Sequence, residues 1–83
     1  MMKNEYKELM AKAPLPMLVS LNEIISHIKD GDENLRLKKI AVNYCKIIGV
    51  EFNHSTANVN LCFQEILDNA DNIHEVFRVR KIS

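Results

Sequence analysis

Helix breakers fall at only four places in this chain: Pro14, Pro16, Gly31 and Gly49. The intervals between them must be regular structure or be interrupted by polar residues alone, and apolar side chains recur through them at helical rather than alternating spacing. In "NEYKELMAKA", Tyr6, Leu9, Met10 and Ala13 share one face, and Glu5 and Glu8 lie in the early turns where the helix dipole favours acid. This predicts a helix over about residues 3–13, ended by Pro14 because the residue before a proline is pushed out of the α region.

Pro16 has two readings. It opens a second helix at its first turn, where the missing N–H costs nothing. Otherwise it belongs to an extended lead-in to the capping box "SLNE", in which Ser20 and Glu23 bond reciprocally and Val19 and Ile24 form a hydrophobic staple. Met17, Leu18, Leu21, Ile24, Ile25 and Ile28 keep helical spacing without a break, which favours a helix over about 16–29 with Ile24, Ile25 and Ile28 in the core and Gly31 as its C-cap.

Asp32 is the expected cap of a third helix, 33–48, whose buried stripe reads Leu37, Ile40, Ala41, Tyr44 and Ile48. Gly49 stops it, and Val50 suits a Schellman-type end. "VEFN" reads as a short extended link with Val50 and Phe52 on one side. Ser55 or Thr56 then caps a fourth helix, about 56–70, carried by Val59, Cys62, Phe63, Ile66, Leu67 and Ala70. Ile73, Val76 and Phe77 continue that stripe, so "DNADN" predicts a kink or a short fifth helix at 72–78, and the tail "FRVRKIS" fits a frayed helix end or a short strand. The expected fold is an all-α compact bundle of four helices, with that possible fifth, in a single helical domain over 1–83.

The run "IIGV" followed by "NVNLCFQEIL" resembles the central helices of the small phage anti-sigma factors that bind the sigma subunit of host RNA polymerase. The likeness is a helix, a Gly-Val turn and a helix, and it covers about a third of the chain. The amino-terminal half with its two prolines departs from that pattern, and no site residues carry over. A helix-turn-helix reading of the same region fits poorly, because the turn around "GVEFNHST" exceeds the usual three or four residues.

Catalytic and metal signals are weak. Cys45, His54 and Cys62 are zinc-competent types, but a structural zinc site takes paired ligands about two to four residues apart and no two Cys or His here lie so close. Without a C-x-x-C motif the two cysteines read as free thiols in the core, in a reducing compartment. His27 and His74 have no nucleophile the sequence can nominate, although His74 sits near Asp71 and Glu75. Gly31 and Gly49 stand alone, so there is no phosphate-cradling loop. No catalytic, cofactor-binding or metal residues are expected, and the chain reads as a non-enzyme. The charged amino terminus has no apolar signal core and no run reaches the roughly 18 apolar residues of a membrane span, which points to a cytoplasmic location with neither secretion nor membrane anchoring.

Charge is more informative. Basic and acidic residues number 11 each, so a general attraction to nucleic acid or anionic membrane is absent and any basic patch is local. Arg36, Lys39, Asn43 and Lys46 line one helical face; every charge from Glu51 to Glu75 is acidic; Arg78, Arg80 and Lys81 are basic again. Neighbouring helices of opposite sign could simply screen one another. The sharper reading is that Arg36, Lys39 and Lys46, with Arg78 and Arg80, meet phosphates or an acidic partner.

Apolar residues are 47% of the chain, more than so small a domain easily hides, since it buries only about 60–65% of the surface its unfolded chain exposes. Met10, Leu15, Met17, Leu18 and Val19 are the expected protein-interaction surface, because a helix starting at Pro16 cannot turn Met17, Leu18 and Val19 inward together. The expectation is a small intracellular adaptor or regulator that binds another protein and self-associates as a homodimer or higher oligomer. The alternative is a nucleic-acid-associated regulator using the basic helix face.

Overall fold

The two prolines turn the chain while interrupting helicity for only two residues. The computed structural model describes residues 3–29 and 34–82, in which α1 spans Lys3–Lys12 and α2 spans Leu15–Lys29. The Pro14 carbonyl accepts from the N–H groups of Met17 and Leu18, each at 3.1 Å, and so starts α2 one residue before Pro16. Pro16 falls in the first turn, where its N–H would have no partner. Ser20 and Glu23 are therefore interior to the helix and not a cap.

Gly31, Asp32 and Glu33 lie outside the described residues. The next helix, α3, spans Leu35–Ile48, and its cap is Asn34, whose Oδ1 accepts from Arg36 N at 2.9 Å and Leu37 N at 3.3 Å. Its buried residues are Ala41, Val42 and Cys45, with Leu37, Ile40 and Ile48 partly buried beside them and Tyr44 half-buried. The expected stripe is thus displaced toward Val42 and Cys45. The cause is that α3 packs on two neighbours, α2 and a later helix, so its buried arc is wider than one stripe. Gly49 ends the helix at φ 116°, and Val50 N donates to Cys45 O at 2.8 Å while Gly49 N donates to Lys46 O at 3.1 Å, the Schellman pair expected from Gly-Val.

Beyond Gly49, Val50 and Phe52 face inward and Glu51 faces water. The fourth helix, α4, spans Val59–Asp68 and starts later than expected. Ser55 Oγ accepts from Ala57 N at 3.3 Å, and Ser55 O accepts from Asn58 N at 2.8 Å, closing a turn where the sequence reads as helix. Asn58 becomes the cap, accepting from Leu61 N.

Asn69 breaks α4 from α5, which spans Ala70–Ile82: its side-chain amide donates to Glu65 O at 2.9 Å, and its own carbonyl accepts from Ile73 N to begin α5. The last helix is longer than the expected short segment, and the tail is helical through Ile82.

Helices α2, α3, α4 and α5 form a ring in which each touches the next and α5 returns to α2, while α1 packs along α5. No strand occurs among the described residues, so the fold is an all-α bundle. Tyr6, Met10, Leu18, Leu21, Phe63, Ile66 and Ile73 are fully buried at its centre, and no polar or charged side chain among the described residues is buried with them. The Cα radius of gyration, 11.6 Å, matches the roughly 12 Å expected for one close-packed core of this length.

Candidate functional site

Helix α3 presents an unusual outer surface. Stepping 100° per residue, Leu35, Lys46, Lys39, Asn43, Arg36 and Ile47 fall in sequence around an arc of about 120°, and all six are exposed. The arc carries three cations and no acid, and Leu35 and Ile47 leave 48% and 62% of their surface in water.

Beside this arc lies an open groove of about 390 Å³ lined by Lys39, Val42, Asn43, Lys46, Thr56, Ala57 and Val59. A second groove shares Lys39, Ala57 and Val59 and extends the trough toward Leu35 and Asn60. Helix α3 forms one bank and the 55–60 segment the other. The floor is apolar, the α3 bank is cationic, and no carboxylate lines either groove among the described residues.

The chain leading into the far bank, 53–55, is tied to α4 by two residues one turn apart. Cys62 Sγ donates to the carbonyls of Ser55 at 3.3 Å and His54 at 3.6 Å. Glu65 accepts from Asn53 N at 3.0 and 3.1 Å and from Asn53 Nδ2 at 3.1 Å, and its Oε2 lies 2.8 Å from His54 Nδ1. Burial pushes the Glu65 carboxyl up, but the bonds from Asn53 and His54 and the His54 charge outweigh it and hold it below the usual carboxylate range. Burial, with the Glu65 charge adding, pushes the Cys62 thiol up. Cys62, His54 and Glu65 therefore stand close without the wiring of a nucleophilic triad. The thiol meets main-chain carbonyls instead of the imidazole, and its ionisation moves in the direction opposite to activation. Lys38 Nζ crosses the trough's end to donate to Asn60 Oδ1 at 3.2 Å and lies 5.9 Å from the Phe63 ring centroid.

The residues expected to form sites distribute as follows. Arg36, Lys39 and Lys46 are gathered on the α3 arc. Arg78 is exposed on α5, whereas Arg80 Nη1 donates to Met10 O at 2.9 Å and to Ala13 O, so its guanidinium caps the end of α1 and is not presented to an anion. Met10 and Leu18, both 0% exposed, belong to the core and drop out of the expected interaction surface. Met10 lies on the inner face of α1, and α2 turns Leu18 inward while leaving Met17 and Val19 half-buried on either side; Leu15, at 39%, is the one exposed residue of the five. His74 meets Asn22 Oδ1 at 3.2 Å and the Phe77 ring, while its neighbour Glu75 pairs with Lys7 at 3.1 Å.

Sequence reasoning missed the far bank. Thr56 and Ala57 read as helix, and the available signal was Asn58, a better cap than Ser55 or Thr56 for a helix starting at Val59. Nothing in the local sequence marks Glu65 as the anchor of a loop 12 residues earlier.

No cluster of His, Cys, Asp or Glu that could hold a metal ion occurs among the described residues. None of the described helices is long and apolar enough to cross a membrane. Comparison with protein-family models, with curated proteins and with solved structures finds no match to this chain.

Proposed function

We propose that this chain is a small non-catalytic binding protein, an adaptor or regulator, that docks a partner protein in the trough between α3 and the 55–60 segment. One observation carries the reading: exposed large apolar side chains and three exposed cations share one arc of α3, beside a groove that no carboxylate lines among the described residues. Apolar patches rimmed by charge are how soluble proteins offer a binding surface. The sulfur and carboxylate straps favour docking over packing slack, because they fix residues 53–55, from which the far bank starts, before anything binds.

A nucleic-acid ligand is the second reading, favoured by Arg36, Lys39 and Lys46 on the same arc. Phosphate needs only the cations, however, and leaves Leu35, Ile47 and the floor of Val42, Ala57 and Val59 without a role.

A photo-activatable cross-linker replacing Asn43, at the middle of the trough, tests the proposal in lysate of the source cell. The reading requires a protease-sensitive, nuclease-resistant adduct that Val59→Asp abolishes and that a cross-linker at exposed Asp71 does not give. A nuclease-sensitive adduct would transfer the site to nucleic acid, and no adduct would remove it.

A further inference from the structure

We infer that the trough receives an acidic amphipathic helix of another protein, about three turns long, with carboxylates seven residues apart and apolar residues between them. The inference rests on the trough being the docking surface proposed above and names its occupant.

The chemistry of the two banks sets the sign. Lys39 and Lys46 edge the groove, Arg36 stands beside them, and no described carboxylate lines it. A cationic partner would be repelled, and a purely apolar one would leave the lysines desolvated without counter-charges. Charge complementarity therefore selects acid.

The spacing sets the form. Lys39 and Lys46 are two turns apart, about 10.5 Å along the axis, with Val42 between them on α3 and Val59 lining the same groove. A helix lying alongside α3 repeats that geometry: acids at positions i and i+7 reach the two lysines, and apolar residues at i+3 and i+4 enter the floor. From Leu35 to Lys46 the arc runs about 16 Å, which sets the occupant at about eleven residues. A strand has no comparable seat, since the described residues offer no sheet edge to extend.

Selection from a displayed library of random sixteen-residue peptides against the folded chain decides the matter. Enriched peptides should carry Asp or Glu seven apart with Leu, Ile, Phe or Met between. They should also lose roughly threefold to tenfold in affinity to K39E or to K46E, each with unchanged helical circular dichroism, as reversing one exposed contact charge implies. Failure to enrich, enrichment of neutral or basic peptides, or acidic peptides indifferent to both substitutions would overturn the inference. So would binding of a 20-nucleotide oligomer through Lys39 and Lys46 in place of any peptide. The Asn43 cross-link separates the two levels. A protein adduct accompanied by non-acidic peptides leaves the docking surface standing and removes only its acidic occupant, and an adduct of the chain with itself does the same in favour of self-association.

Discussion

Replacing Glu65 with Ala removes the acceptor for both donors of Asn53 and the partner of His54 Nδ1. A hydrogen bond to a charged group contributes about 1.5–3 kcal/mol when its donor has nowhere else to turn. Here the side chain of Glu65 is 15% exposed and Asn53 and His54 face water, so the freed donors recover much of their loss, and about 2 kcal/mol in total is expected. For a domain of this size that is a fall in Tm of about 8–16 °C. The carboxyl titrates near pH 4.3 in an unfolded chain and lower in the fold. Its stabilisation is therefore complete above about pH 5 and fades as pH falls through the lower folded value. Thermal unfolding followed by circular dichroism should show a large gap between wild type and Glu65→Ala at pH 7 and a smaller one at pH 2.5, and hydrogen exchange at the Asn53 amide should lose its protection at pH 7. A fall in Tm below about 3 °C at pH 7, or an equal gap at both pH values, would refute the view that this carboxylate straps the trough's far bank.

Arg80→Ala should lower stability by about 2 kcal/mol, because the Met10 carbonyl in α1 and the Ala13 carbonyl just beyond it lose a charged donor, while Arg78→Ala at the exposed nearby position should stay within about 0.5 kcal/mol; urea titration of both compares them directly. Gly49→Ala should cost about 1–2 kcal/mol: φ is 116°, and the added Cβ would stand 3.3 Å from Leu9 Cδ2. An unchanged denaturation midpoint would show that the backbone relaxes freely there. Cys45 is fully buried, and burial pushes its thiol up to about 12, so at pH 8 only about one molecule in ten thousand would carry the thiolate. Mass spectrometry should find native protein resistant to iodoacetamide and both cysteines modified in guanidinium; rapid native modification of Cys45 would contradict its burial.

The helices were legible in the sequence because apolar spacing and a few breakers specify them almost alone. Pro14, Gly49 and the stripe from Val59 to Ala70 each placed an element within a few residues. What escaped the sequence was in part a local turn that competes with helix and in part contacts with distant partners. The start of α4 moved because Ser55 and Asn58 fold a turn of their own. The α3 stripe shifted because two neighbours bury it at once. The end of α5 is engaged by Arg80 reaching Met10, 70 residues earlier, a contact that no local pattern marks. The cationic half of the candidate site, Arg36, Lys39 and Lys46, was readable from helical periodicity, which says which residues share a face. The opposite bank was not, since periodicity is silent about which loop is tied down beside that face. Met10 and Leu18 read as surface residues for the same reason: an excess of apolar residues on one segment does not reveal which of them the rest of the chain will cover.

The pairing of α1 with α5 bears on how the chain reaches this state. Lys7 meets Glu75, and Met10 meets Arg80, so the two helices run in the same sense and their negative ends coincide where the guanidinium sits. Their contacts join the most widely separated helices in the sequence, so closing them demands the largest loss of chain entropy in the fold. The neighbouring contacts of α2 with α3 and α3 with α4 close short loops and can form first. Helix α1 rests chiefly on α5, so Tyr6 and Met10 must wait, exposed, until the ring is made. Folding of this chain is expected to end where its sequence starts.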